Sequence, residues 1–162
     1  MKTETNHQAE ISKALAAPIE LSWKVQNKQG ADKLNMVAYI DSRDVQNRLD
    51  EVLGLSGWQN KYISHAGKLF CELSLRHGDE WITKSDAGMD SVIASDKGAA
   101  SDAFKRAAVM FGIGRYIYEL PNITIGVGQY KGKDYPVNDQ GKILWNKKMV
   151  SDFCNSKMEV IE

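Results

Sequence analysis

The sequence predicts an α+β fold: an antiparallel β-meander with helices packed on one face. Three observations carry that prediction. Leu69, Cys71, Leu73 and Leu75 alternate with Phe70, Glu72, Ser74 and Arg76, the period of a half-buried antiparallel strand. Val45, Leu49, Val52 and Leu53 recur at helical spacings, behind a cap at Asp41 or Ser42 and ahead of Gly54. Ala100, Ala103, Phe104, Ala107, Ala108 and Phe111 form a second helical stripe, mostly of alanine.

Taken in order, residues 1 to about 16 show no strong pattern and are expected to be frayed or weakly helical. Residues 19–25 alternate loosely and predict a short strand. The polar run 26–33, with Gly30 in it, predicts a loop. Residues 34–40 carry β-formers and predict a strand, and the capped helix follows. Gly57-Trp58 opens the meander, with strands at 58–64, 69–76 and 80–85 and turns at 65–68 and 77–79. An acidic, Gly-containing connector spans 86–95. The alanine-rich helix follows at 95–111, and Gly112 and Gly114 end it. Residues 115–120 form a short apolar segment stopped by Pro121. After Gly128 the chain is rich in Gly and Lys; residues 143–145 and 149–153 are expected either to form a final helix or to dock on the body. The order strand, helix, meander, helix, tail puts helices on one face of the sheet. The domain reading is a flexible 1–18, a core domain at 19–127 and a basic C-terminal tail at 128–162.

With 162 residues, 43% hydrophobic and 26% charged, the chain fits one globular domain with a short tail. No run of about 18 apolar residues occurs, so no membrane span is expected. The polar start predicts no secretion signal and a cytoplasmic location. Cys71 and Cys154 match neither a metal spacing nor a disulfide framework and predict free thiols. Net charge is zero, but the charges are segregated. Residues 24–48 and 131–148 are mainly basic, while 79–96 carry five acids and only Lys84. Segregation of this kind matters more for a polyanionic ligand than the sum does.

The alanine helix has two characters. Its small side chains let it lie close on a sheet or a neighbouring subunit. Lys97, Ser101 and Lys105 fall on another stripe, with Arg106 beside them, and suit a phosphate backbone. Lys24 is a further phosphate candidate. Trp23, Trp58, Trp81, Tyr62 and Tyr116 are candidates for base stacking, against the alternative that strand aromatics are core. For catalysis, Asp79, Glu80, Asp86, Asp90 and Asp96 invite a Mg²⁺-nuclease reading, but Glu80 and Lys84 stand four apart rather than two. His7, His65 and His77 form no metal pair. Gly112-Ile-Gly114 follows a helix instead of opening one and is no phosphate loop. No catalytic residue, metal ligand or cofactor is therefore assigned.

The segments Tyr39 to Gly54 with Gly57-Trp58, then Lys84-Ser-Asp-Ala-Gly88, then Lys97 to Gly112 with its Ser-Asp-x-x-Lys-Arg-Ala run, resemble the Rad52 family of single-strand annealing proteins. The phage and bacterial members are the nearest in style, and the resemblance covers residues 20–121. It implies a β-β-β-α core, assembly into rings or arcs, and a basic groove that holds single-stranded DNA. ATP-independent annealing of complementary strands in homologous recombination and DNA repair would follow. It carries the family's groove pair onto Lys105 and Arg106 and an early basic residue onto Lys24, with Trp23 and Arg43 as secondary sites. A further family cation falls at Val109, which is not basic; Lys97 and Arg115 are the expected substitutes. The expected partners are single-stranded DNA, further copies of the chain and a single-strand-binding protein. The chain ends soon after the core, so annealing rather than tail-borne recruitment is the expected activity. Two alternatives stand beside it: a Mg²⁺-dependent nuclease using the 79–96 acids, and an oligomeric interaction module with no DNA role.

Overall fold

The computed structural model describes residues 2–88 and 96–159, with side chains described at 7–88 and 98–159. Its elements are α1 (Lys2–Ala16), β1 (Ser22–Gln29), β2 (Lys33–Tyr39), α2 (Ser42–Leu53), β3 (Trp58–His65), β4 (Lys68–His77), β5 (Glu80–Ala87), α3 (Asp96–Val109), β6 (Ile123–Tyr130), β7 (Lys133–Val137) and α4 (Lys147–Glu159), with a short 3-10 helix at Arg115–Glu119. All strand pairs are antiparallel, in two sheets ordered β1-β2-β6-β7 and β3-β4-β5. The α+β class therefore holds, and one expectation is corrected. The meander does not carry all the helices, because a second sheet exists with α4 packed on it. No helix among the described residues is long and apolar enough to cross a membrane. The chain divides into two compact units, residues 1–19 with 41–116, and residues 20–40 with 117–162.

The first unit holds α1, α2, the meander and α3. Asp41 caps α2 as its sequence predicts: its Oδ1 accepts the N–H groups of Arg43 and Asp44, and Asp44 Oδ2 accepts the Asp41 N–H at 2.7 Å. This reciprocal box satisfies donors that a bare helix start leaves open. Val45 and Leu49 are fully buried. The meander runs in unbroken register, Trp58 opposite Leu75 and Leu73 opposite Lys84. The Trp58 indole N–H donates to Asp50 Oδ1 at 2.7 Å, and its ring lies 5.9 Å from that of Phe104. The N-terminal stretch forms α1, although its pattern is weak. The Arg48 guanidinium donates to the carbonyls of Ala14, Ala17 and Pro18 and so closes the C-terminal end of α1.

The second unit packs α4 on the β1-β2-β6-β7 sheet. Its core is Trp23, Leu34, Met36, Ala38, Ile123, Ile125, Leu144, Val150 and Cys154. The stretch expected as a loop at 26–33 is strand as far as Gln29, with an irregularity in register between Val25 and Asn27. Its side chains from Lys24 onward are exposed, so no apolar alternation marks it. The tail supplies β7 and α4 and extends β6. Residues 149–153 are helical, whereas Ile143 bridges Val137 in extended form. Both cysteines are free thiols, as expected, and the fold buries them both.

Candidate nucleic-acid interface

Helix α3 is built as its two-sided sequence requires. Ala103, Phe104, Ala107 and Ala108 are 0–2% exposed and pack on β4 and β5. Ala100 and Phe111, the outer members of the stripe, are half-buried. Small residues let the helix come close: a Cβ on Gly88, at the end of β5, would lie 2.7 Å from the Ala99 carbonyl oxygen. That approach admits glycine alone without a shift.

The cations of α3 differ in what already holds them. Lys105 is half-buried, and among the described residues it makes no ion pair or hydrogen bond. Arg106 places Nη2 3.1 Å from Asp86 Oδ2 on β5. Its Nε is buried without an acceptor among the described residues. The guanidinium is thus tied to Asp86 through Nη2, and its Nε is closed to solvent. Lys97 lies in the first turn of α3; its side chain falls outside the described residues.

Arg115 has a structural task that its sequence position does not reveal. Its Nε and Nη2 donate to the Val109 carbonyl at 3.1 and 2.9 Å, and Nη2 also reaches the Met110 carbonyl. Lys84, which the sequence reading left without a role, donates to that same Met110 carbonyl at 2.8 Å, with Nζ 4.6 Å from the centre of the Phe111 ring. Both side chains satisfy orphan carbonyls at the end of α3 and oppose the negative end of its dipole. The signal for Lys84 was strand phase, since it pairs with buried Leu73 and so faces α3. Arg43 is exposed in the first turn of α2.

The remaining two candidates belong to the second unit. Lys24 is exposed on β1, with Nζ 5.3 Å from the Tyr39 ring centre; Lys147 Nζ stands 5.0 Å from the same ring. Trp23 is a correction. It is 3% exposed, its N–H donates to Ser151 Oγ, and its indole N–H donates to Asn155 Oδ1 at 2.7 Å. Burial under α4 closes both ring faces to a base. Of the acids in the 79–96 run, Asp86 faces Arg106, Asp79 lies 3.8 Å from Arg76, and Asp90 is outside the described residues. Among the described residues, no three His, Cys, Asp or Glu side chains group to hold a metal.

Comparison with known proteins bears on this arrangement. The model of the Rad52/22 family double-strand break repair protein matches residues 5–74 and 71–134. The chain is also similar to the single-stranded DNA-binding protein DdrA of Deinococcus radiodurans and to that of Deinococcus deserti. Each is 37% identical over 120 residues, which is 70% of this chain and 57% and 59% of the two relatives. The chain thus spans less than two thirds of the length of these curated relatives. No solved structure matches it. The family match runs through α2 and the meander and across α3, the elements that present Lys105 and Arg106, and the chain belongs to the Rad52/22 family of double-strand break repair proteins.

Proposed function

We propose that the chain binds single-stranded DNA and anneals complementary strands without ATP, in recombination and repair, as a ring or arc of subunits. The observation that carries this reading is the pair Lys105–Arg106, half-exposed on α3 of a β3-β4-β5-α3 core. Family membership supports it, and so do two relatives named as single-stranded DNA-binding proteins.

Lys105, Arg106 and Lys97 hold phosphates of one strand, and Lys24, on β1, is a separate phosphate contact. Phosphate contacts hold a strand without reading its sequence. Bases left outward can sample register on a second strand until pairing wins. Base pairing supplies the free energy, so the chain's task is to hold and align rather than to catalyse. Assembly follows from the meander, where β3 and β5 are the outer strands. Tyr62 on β3, and Trp81 and Ile82 on β5, are 42–43% exposed. Outer strands present unpaired N–H and C=O groups, and a β3-to-β5 contact between copies is head-to-tail, the kind that closes rings.

The test is annealing of two labelled complementary oligonucleotides by purified protein, without ATP, across a salt series. Acceleration that fades with salt is expected, and Lys105→Ala with Arg106→Ala should weaken binding for all sequences alike and flatten the salt slope. A folded protein that accelerates annealing at no salt concentration overturns the reading.

A further inference from the structure

We propose that the aromatic cluster Tyr130–Tyr135–Trp145, flanked by Lys131 and Lys133, is a second contact for single-stranded DNA, a platform on which unpaired bases stack. The inference rests on the DNA-binding reading above and concerns the second unit alone.

The cluster is built, not incidental. Lys131 and Gly132 both have positive φ, 51° and 76°, and form the two-residue turn between β6 and β7. Pairing of Tyr130 with Lys133 and of Gly128 with Tyr135 sets Tyr130, Lys133 and Tyr135 on one face of the sheet. By alternation that face is opposite the core residues Ile123 and Ile125. Gly128 leaves room there for Val137, whose Cγ1 would lie 2.5 Å from a Cβ at that position. The Val137–Ile143 bridge, together with the Leu144 N–H bonded to the Pro136 carbonyl at 2.9 Å, pins the next segment along β7. Leu144 enters the core, and its neighbour Trp145 meets the two tyrosines instead. Tyr130 and Trp145 meet edge to face at 5.1 Å and 89°, Tyr135 and Trp145 lie 5.4 Å apart, and Tyr130 and Tyr135 6.4 Å apart.

These rings do little for the core. Tyr130 is 43% and Trp145 53% exposed. Edge-to-face packing fixes the rings while leaving flat surface open, which is what a base needs for stacking. The charge around them selects a polyanion. Lys131 Nζ is 5.3 Å from the Tyr130 ring centre, Lys133 is exposed, and neither has an acidic partner among the described residues. The nearby carboxylates are engaged, Asp134 by Lys28 and Asp139 by Lys157. Two residues beyond Trp145, Lys147 joins Lys24 over Tyr39, so the same unit carries a second aromatic ring under cations. Open rings with unneutralised lysines fit a strand of nucleotides better than an acidic or apolar protein surface.

The test titrates oligo(dT) into the full chain while tryptophan fluorescence is followed. Quenching is expected in the wild type and should be largely lost in Trp145→Phe. Tyr130→Ala with Trp145→Ala should weaken binding about tenfold, the effect of one stacked base, with the salt slope kept. Lys131→Glu with Lys133→Glu, checked for an unchanged circular-dichroism spectrum, should weaken binding and lower the slope. Wild-type binding with no change in either double variant overturns the platform and leaves the α3 reading standing. A wild type that does not bind oligo(dT) overturns both. A change in oligomer mass in the aromatic variant, at unchanged DNA affinity, assigns the cluster to contacts between copies and also overturns the platform.

Discussion

Arg106 Nη2 lies 3.1 Å from Asp86 Oδ2, so a cation proposed for DNA is already shared with a carboxylate of the sheet beneath α3. Both side chains are about one third exposed, and a pair of that kind contributes at most about 1 kcal/mol. Asp86→Asn should release Arg106 and tighten single-stranded DNA binding by up to about fivefold at low salt. Fluorescence anisotropy with a labelled oligonucleotide reads this directly. Unchanged affinity in the folded variant would remove Arg106 from the set of phosphate contacts.

Arg48 closes α1 from across the first unit with three hydrogen bonds to carbonyls. Arg48→Ala leaves those carbonyls open, and a cost of about 2–3 kcal/mol is expected. Hydrogen exchange should accelerate in residues 8–16 well before it does in the meander. Equal protection of α1 in the variant would show that Leu15, 4% exposed, holds the helix without the guanidinium.

Trp23 separates packing from binding. Trp23→Phe should lower stability through the lost bond to Asn155 and leave the affinity for DNA where it was. Trp23→Ala should cost about 3–5 kcal/mol, as expected of a large core side chain. Urea denaturation and oligonucleotide binding on the same samples decide the matter. A selective loss of affinity in the phenylalanine variant would reverse the assignment of Trp23 to the core.

Burial pushes the thiols of Cys71 and Cys154 up to about 11. The folded protein then keeps protons that the unfolded chain releases near the ordinary cysteine value. Stability should be level below that value and fall as pH rises toward 11. Denaturation midpoints between pH 7 and pH 11 check the slope, and thiol-reagent labelling should be slow until urea is added. Rapid labelling of both thiols at neutral pH without urea would contradict this.

What the sequence made legible were elements whose own residues decide them. Asp41, Val45, Leu49 and Gly54 mark α2 from within, and the alternation in β4 places its neighbours. The half-exposed positions of Lys105 and Arg106 follow from helical phase against Ala103 and Ala107. What stayed hidden was decided at a distance. The helical state of α1 is supported by Arg48. The burial of Trp23 depends on Ser151 and Asn155. Arg115 reads as a free cation until the chain turns back on Val109. The glycines of β6 look like loop residues, because the side chain they make room for lies on β7.

The bond from the Trp23 indole to Asn155 spans 132 residues. The β1-β2 hairpin therefore leaves the ribosome well before α4, with the apolar face of Trp23, Met36 and Ala38 uncovered. The elements α2, β3, β4, β5 and α3 can collapse first, since their partners emerge together. The hairpin must wait for α4 to be made, and during that interval it is the part of the nascent chain most in need of a chaperone's shelter.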